Sequence, residues 1–188
     1  RLKAKMSTHN KYKQWMKTLN AGERDRLKEE GAILYIKTTK PIELYKIDKG
    51  IIPQSIKNQN KCDYMLFDRP GLESKLIELK GTDEKHACDQ IYDTITYFET
   101  NDDTKEFVNG VNLIEGYIVS PNGRVPDINN SHRKKLCDKL SRKSRKRHSN
   151  FLNHLIFARC INKIPGNYKP DKNSNKQLLV NNDYPLIV

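Results

Sequence analysis

The chain has 188 residues, with 35 Lys and Arg against 23 Asp and Glu, so its formal net charge is +12. No window approaches the roughly 18 consecutive apolar residues of a transmembrane helix, which argues against a membrane-embedded protein. The length suits one domain, residues 1–188. Residues 1–5 lead into no apolar signal segment, so we expect a cytoplasmic protein without a membrane partner.

The cysteines are widely spaced and form neither a CxxC pair nor a zinc-finger pattern with histidine. They are Cys62, Cys88, Cys137 and Cys160. This spacing predicts reduced, buried thiols rather than a disulfide framework.

The charge is unevenly distributed along the chain. Residues 1–28 carry a local charge of +7 and residues 131–148 a local charge of +8, whereas residues 63–106 contain twelve acidic and five basic residues. Basic segments hold phosphates, and clustered carboxylates hold divalent cations. The alternative is a solvated surface whose charge is merely uneven.

The first part of the chain predicts a helix followed by two strands. Apolar residues at Tyr12, Trp15, Met16 and Leu19 follow helical spacing, so we expect a helix over 11–30 that ends at Gly31. Two segments rich in β-branched and aromatic residues, 33–36 and 42–47, predict strands.

The middle of the chain has the clearest pattern. Residues 62–67 and 75–81 predict a β-hairpin around the turn at 68–71. A helix over 84–99 should follow, capped by Thr82 or Asp83, with an apolar stripe that is then buried. The stripe consists of Ala87, Ile91, Ile95 and Phe98. Residues 113–120 predict a further strand.

The last third is basic and then irregular. Residues 131–150 predict a helix with a narrow apolar seam of Leu136 and Leu140, docked on the rest of the protein. Residues 151–161 fit either a helix or a strand. Residues 165–188 predict an irregular tail with a short strand at 178–180.

One constellation in the hairpin carries chemistry. Side chains alternate along a strand, so Glu78 and Lys80 share one face, and antiparallel pairing brings Asp63 close to them. Two carboxylates suit a hard cation such as Mg²⁺, and the ammonium group can orient water or stabilise charge on a phosphate. The alternative is a cross-strand salt bridge, which contributes little.

At these residues the sequence resembles the PD-(D/E)xK nuclease superfamily, over about residues 11–120. The resemblance implies an α/β (α+β) fold: a restriction-endonuclease-like core of order αβββαβ, with a mixed β-sheet flanked by helices. Residues 131–188 would form a basic helical C-terminal extension. The Pro that precedes the family's Asp is absent, and Cys62 stands there.

The resemblance also implies roles for individual residues. Asp63, Glu78 and Lys80 would be catalytic, and Mg²⁺, for which Mn²⁺ substitutes, would bind Asp63, Glu78 and the carbonyl of Leu79. Gln90 would support the site as in RecB-like members, although Thr94 stands where those members have Tyr. Many members place a Glu on the first helix, and the candidates here are Glu23, Glu29 and Glu30.

The segment 133–147 has three interpretations: a phosphate-contacting helix, a nuclear-localisation-like run or a solvated linker. The apolar seam favours an ordered helix, and a phosphodiesterase needs cations to hold a polyanion near an acidic site. The residues expected to contact nucleic acid are Arg133, Lys134, Lys135, Arg142, Lys143 and Arg145.

These patterns and the resemblance together predict a metal-dependent endonuclease that hydrolyses DNA phosphodiester bonds and belongs to a restriction or defence system. A junction- or RNA-directed nuclease of the same superfamily and a non-catalytic nucleic-acid-binding module are the alternatives. Cleavage of both strands would need a homodimer or a partner subunit.

Overall fold

The computed structural model describes residues 11–29, 31–56, 59–80, 83–121, 129–161, 164 and 178–188. Within them lie ten strands and two α-helices. The strands are β1 (Met16–Leu19), β2 (Arg24–Glu29), β3 (Ala32–Lys37), β4 (Ile42–Lys46), β5 (Tyr64–Asp68), β6 (Glu73–Leu79), β7 (Leu113–Val119), β8 (Leu155–Cys160), β9 (Leu178–Val180) and β10 (Leu186–Ile187). The helices are α1 (Glu84–Thr100) and α2 (Ser131–Lys143). Short 3₁₀ helices span Lys13–Trp15, Lys105–Phe107 and Phe151–His154.

The strands form two sheets. The larger has the order β1-β4-β5-β6-β7-β8-β9, and the smaller has the order β10-β3-β2. Pairing in the larger sheet is antiparallel from β1 to β6 and parallel from β6 to β9. The expected mixed α/β class with a mixed sheet is therefore confirmed.

The larger sheet is covered on both faces. Helices α1 and α2 pack on one face, where Leu76 of β6 belongs to the same core cluster as Ile91 and Leu140. The smaller sheet packs on the other face, where Ile77 and Leu79 belong to one cluster with Leu34. The central strands are consequently buried on both sides, as parallel strands usually are.

The predicted helix over 11–30 is wrong. After a 3₁₀ turn, Met16–Leu19 pairs with β4 as a strand, and Arg24–Glu29 pairs with β3 as a hairpin. Gly31 lies in the connection of this hairpin with φ of 82°, a conformation that favours glycine. The helical spacing of Tyr12, Trp15, Met16 and Leu19 is outweighed by strand pairing. The paired strand β4, which is distant in sequence, supplies the backbone hydrogen bonds of Met16–Leu19.

The remaining predicted elements of the core are confirmed. The β5–β6 hairpin turns at residues 69–72, and a Cβ at Gly71 would lie only 2.1 Å from Oδ2 of Asp68, so a larger residue at this position would have to displace the Asp68 carboxylate. Helix α1 begins at the predicted cap Asp83, whose Oδ1 accepts a hydrogen bond from the amide of His86 at 3.0 Å. All four residues of its apolar stripe are buried. Strand β7 covers the predicted segment, whereas the alternative cap Thr82 lies outside the described residues.

The expected helical C-terminal extension over 131–188 is only partly correct, because helix α2 ends at Lys143 and the strands that follow it belong to both sheets. Helix α2 docks through Leu136 and Leu140, which are fully buried as predicted. The ambiguous segment 151–161 is a 3₁₀ turn followed by β8, which pairs parallel with β7. Strand β9 extends the larger sheet and β10 the smaller one. Across the described residues, no helix is both long and apolar enough to cross a membrane.

Candidate active-site cleft

One end of the β5–β6 hairpin brings the predicted site residues together. Antiparallel strands run in opposite directions, so the start of β5 lies beside the ends of β4 and β6. Residues from all three places line one cleft of about 240 Å³, together with one residue of α1. Its lining consists of Asp48, Gln59, Asn60, Lys61, Asp63, Glu78, Leu79, Lys80 and Gln90.

Asp63 is held firmly at the start of β5. Its amide donates to the carbonyl of Ile77 at 3.1 Å, and its carbonyl accepts from the amide of Ile47 at 2.9 Å, so it continues the ladder on both sides. Its Oδ2 accepts a hydrogen bond from the amide of Leu79 at 2.8 Å. The carboxylate is therefore tied to the strand that carries Glu78.

Glu78 is almost completely buried, with 2% of its surface exposed. It lies in a central strand whose neighbours on the two sides are β5 and β7. Burial raises the pKa of the adjacent Cys62 thiol well above its ordinary value, and the negative charges of Glu78 and Asp63 add to this rise. The two carboxylates thus converge on one small region.

The cleft also contains two cations. Lys80 follows the end of β6, and its amide donates to the carbonyl of Val119 at 2.8 Å, which fixes the backbone of this residue. Lys61 has a side chain that is only 9% exposed, and its Nζ donates to the carbonyl of Pro53 at 2.9 Å. Its Nζ also lies 3.9 Å from Oδ1 of Asp48. Positive groups therefore face the same space as the carboxylates.

Gln90 completes the cleft from helix α1. Its Nε2 donates to the carbonyl of Lys61 at 2.9 Å, which fixes the orientation of the amide. Its Oε1 is buried and accepts no hydrogen bond from the part of the chain that the structure describes. A buried acceptor of this kind is costly unless a ligand or water supplies the donor.

Thr94 has a structural function at the position where a Tyr was expected. Its Oγ1 accepts a hydrogen bond from the buried amide of Cys62 at 2.9 Å and donates one to the carbonyl of Gln90 at 2.8 Å. Helix α1 is thereby joined to the residue that precedes Asp63.

The donors of the cleft fit a hard divalent cation. Two carboxylates and a backbone carbonyl are oxygen ligands, and Mg²⁺ commonly uses one or two carboxylates together with water and phosphate oxygens. The orphan acceptor on Gln90 suits a hydrogen-bond donor such as water. No group of three His, Cys, Asp or Glu side chains with metal-binding geometry occurs in the described ranges.

The acidic residue expected on a first helix has no counterpart in the described part of the cleft. Glu23 accepts hydrogen bonds from the amide and side chain of Asn20, at 2.8 and 3.1 Å. Glu29 lies 3.5 Å from Lys46 in a salt bridge. Neither lines the cleft, and Glu30 lies outside the described residues.

Sequence reasoning missed Asp48 and Lys61. Asp48 follows the end of β4, and an acidic residue at the end of a strand next to β5 was a readable signal for the same edge of the sheet. Lys61 offered no such signal, because its burial depends on the loop that connects β4 with β5.

Six basic residues of the 131–148 segment were expected to contact nucleic acid, and they fall into two groups. Lys134, Lys135, Arg142 and Arg145 are exposed. Arg133 is instead buried, with its guanidinium 5.3 Å from the ring centroid of Phe157, so it presents no surface to a phosphate. Lys143 is partly buried and forms a 2.6 Å salt bridge with Glu99.

A second cleft, lined in part by helix α2, adjoins the candidate active-site cleft. It has a volume of about 360 Å³ and is lined by Asn60, Asp89, Asp93, Ser131, His132 and Lys135. Asn60 lines both clefts, so they adjoin. His132 Nδ1 lies 2.8 Å from Oδ1 of Asp89 and joins the start of α2 to α1. The basic end of α2 therefore borders the candidate active site.

No family model, curated protein or solved structure matches this chain. The functional argument accordingly depends on the geometry of the cleft and on the residues that line it.

Proposed function

We propose that the protein is a metal-dependent endonuclease of the PD-(D/E)xK type that hydrolyses DNA in a restriction or defence system. The observation that carries the proposal is the convergence of Asp63, Glu78, Leu79, Lys80 and Gln90 in one cleft. Asp63, Glu78 and Lys80 were expected together from strand alternation and pairing, and Leu79 and Gln90 were expected there from the resemblance. Hairpin pairing accounts for the proximity of Asp63 and Glu78, whereas Gln90 reaches the same cleft from helix α1, a separate element.

The order of elements supports the same assignment. Three strands, β4, β5 and β6, lie next to one another in antiparallel pairing, and α1 connects β6 to the parallel strand β7. This order agrees with the βββαβ part of the restriction-endonuclease-like core that we propose. Asp63 and Glu78 lie at the edge of the sheet where β4 and β6 end. The location of the site therefore agrees with the assignment drawn from the order of elements.

The chain offers a definite ligand set for Mg²⁺ or Mn²⁺: the carboxylates of Asp63 and Glu78 and the carbonyl of Leu79. A bound ion would supply a Lewis acid that stabilises negative charge on the phosphate and makes a nearby water more acidic. Lys80 donates a hydrogen bond that orients the attacking water and stabilises the charge that develops on the phosphate. Water oxygen attacks phosphorus, the bond to the leaving nucleoside oxygen breaks, and that oxygen takes up a proton.

The path of the substrate follows from the adjoining clefts. Lys135 lines the second cleft, and Lys134 is exposed on the same turn of α2. Both can neutralise phosphates of a strand whose scissile bond lies over the first cleft. Arg142 lies about 10 Å farther along α2, given the rise of 1.5 Å per helical residue, and Arg145 follows the end of this helix. Cutting both strands of a duplex needs a second site, supplied by another copy of the chain or by a partner subunit.

Plasmid cleavage with Mg²⁺ tests the proposal. We expect Glu78→Gln and Lys80→Ala each to lower the cleavage rate by at least about 10²-fold, the usual cost of removing one preorganised group. Lys85→Ala is the matched control for Lys80, since Lys85 belongs to a similar acidic-x-Lys triplet but is exposed on α1 and does not line the cleft. Full activity of Glu78→Gln would refute the proposal.

Calorimetry with Mn²⁺ separates the nuclease from a non-catalytic module. We expect one binding event that Asp63→Asn and Glu78→Gln abolish and that Lys80→Ala leaves intact. Tight DNA binding without any divalent binding would instead favour a binding module. Parallel assays with duplex DNA, four-way junctions and RNA identify the substrate, and a preference for either of the last two would replace duplex DNA in the proposal.

A further inference from the structure

The outer face of the smaller sheet is a basic surface. Along β2, Arg24, Arg26 and Lys28 are exposed, and in the antiparallel register they lie opposite Lys37, Tyr35 and Ile33 of β3. Residues directly opposite each other share a face of the sheet. We call the surface formed by Arg24, Arg26, Lys28, Tyr35 and Lys37 the outer basic face.

The acidic residues of β2 lie on the opposite side. Asp25 forms a 3.1 Å salt bridge with Lys17 of β1, and Glu29 a 3.5 Å salt bridge with Lys46 of β4. Both partners belong to the larger sheet. Strand alternation has therefore sorted the charges, because the carboxylates are neutralised between the sheets while the cations remain outside.

The outer cations have few internal partners. The side chains of Arg26, Lys28 and Lys37 make no ion pair or hydrogen bond within the described part of the chain. Arg24 donates from Nη1 to the carbonyl of Asn182 at 2.9 Å, and the other N–H groups of its guanidinium can donate to a ligand. The four cations outnumber Asp25, the carboxylate that lines the cleft on this face, so the face is complementary to a polyanion.

A cleft of about 260 Å³ gives this face a place for a flat ring. Its lining consists of Arg24, Asp25, Arg26, Tyr35 and Ile36 from the two strands and of Asn182 and Pro185 from the turn that precedes β10. Arg26 lies directly across from Tyr35. An aromatic ring beside guanidinium groups accommodates a nucleobase and its phosphate at once.

We propose that the outer basic face binds single-stranded nucleic acid, with phosphates on Arg24, Arg26, Lys28 and Lys37 and one base against Tyr35. A single strand fits better than a duplex because paired bases are stacked on each other and offer no face to Tyr35. This binding does not depend on the Asp63–Glu78 site, so it stands or falls separately from the proposed cleavage.

Fluorescence anisotropy with labelled 15-mers of dT or U in EDTA tests the proposal without cleavage. We expect Arg26→Gln/Lys28→Gln to weaken binding at least about tenfold and to reduce the slope of log K against log salt by about 1.4, two contacts at about 0.7 each. Tyr35→Ala should weaken binding about tenfold or more without changing that slope, and Tyr35→Phe should bind normally. The dT and U probes show whether DNA or RNA is preferred.

The matched control is Lys13→Gln/Lys105→Gln, which removes the same charge from two exposed lysines that lie on other elements. We expect it to bind like the unmodified protein. Equal weakening by both double variants would overturn the proposal, since only net charge would then matter. The proposal would equally fail if a duplex of the same length bound as tightly as the single strand, or if polyglutamate competed as well as oligonucleotide. Circular dichroism of each variant verifies folding.

Discussion

The amide of Leu79 donates a 2.8 Å hydrogen bond to Oδ2 of Asp63, and this bond links the two strands of the candidate site. It lies just beyond the regular ladder of the β5–β6 hairpin, where Tyr64 pairs with Ile77. One carboxylate oxygen is used to fix the hairpin end, and the same residue lines the cleft. Asp63 therefore has a structural function besides its proposed catalytic one, and substitutions can separate the two.

Asp63→Asn and Asp63→Ala should differ in stability but not in activity. The Asn variant keeps an oxygen that accepts from Leu79 and loses a charge close to Glu78, so we expect its stability to be unchanged or slightly increased. The Ala variant leaves the Leu79 amide without its acceptor and should lose about 1 kcal/mol or more. Urea denaturation measures the free energy of unfolding, and plasmid cleavage should be abolished in both. Equal stability of the two variants would show that the hydrogen bond contributes nothing.

Thr94→Val should destabilise the protein by about 1–3 kcal/mol. Val has nearly the same shape, but the buried amide of Cys62 loses the oxygen that accepts its hydrogen bond. We also expect slower cleavage, because the segment that precedes Asp63 is released from α1. Thr100→Val is the control, since the Thr100 hydroxyl is exposed and donates to carbonyls of its own helix, and its effect should stay within about 0.5 kcal/mol. A Thr94 variant as stable as this control would contradict the prediction.

Sequence reasoning succeeded where local pattern and tertiary structure agree. The hairpin, α1 and the Leu136/Leu140 seam of α2 were readable because turn residues and periodicity lie within a few positions of each other. The site followed from the same locality, since Asp63 and Glu78 occupy two strands joined by one tight turn.

The errors have a common physical origin. In β2, Leu27 is the only apolar residue between charged ones, so period-two alternation cannot be recognised before β3 is known as its partner. The smaller sheet that buries Ile77 and Leu79 is assembled from residues 24–37 and 186–187, which are far apart in sequence. The expectation that Arg133 contacts phosphate was based on its charge. Its position on helix α2 faces the core, where the side chain is buried.

Glu99 predicts a pH-dependent contact between the two helices. It lies 2.8 Å from Nζ of Lys139 and 2.6 Å from Nζ of Lys143, both on α2. Burial works to raise the pKa of Glu99, but the hydrogen bonds and charges of Lys139 and Lys143 outweigh it and lower the pKa below the ordinary value of 4.5. A depressed pKa in the folded state means that the stabilisation is present above about pH 4.5 and is lost as the pH falls through the folded value.

Glu99→Gln isolates this contribution. At pH 7 we expect the variant to be less stable by about 1 kcal/mol, which is less than the roughly 1.5–3 kcal/mol of hydrogen bonds to charged groups because solvent screens this partly exposed carboxylate. The difference in free energy of unfolding between the two proteins should shrink as the pH is lowered below about 4.5, because protonated Glu99 resembles Gln. Urea titrations from pH 3 to 7 measure it, with Glu106→Gln as the control for a more exposed carboxylate paired with Arg69. A difference that is independent of pH would contradict the assignment.

The four thiols should react in a fixed order. Cys62, Cys88 and Cys137 are buried, and burial raises the pKa of Cys88 and of Cys137 to about 12, whereas Cys160 is only partly buried. Burial also raises the pKa of Cys160, so even this thiol should react slowly with a disulfide reagent at pH 8. We expect one thiol to react in the folded protein and four in denaturant, and Cys160→Ser to remove the native reaction. Fast reaction of Cys62 in the native state would mean that the segment before Asp63 opens, and Thr94→Val should then accelerate it further, because the hydrogen bond to Thr94 is the contact that holds the Cys62 amide against α1.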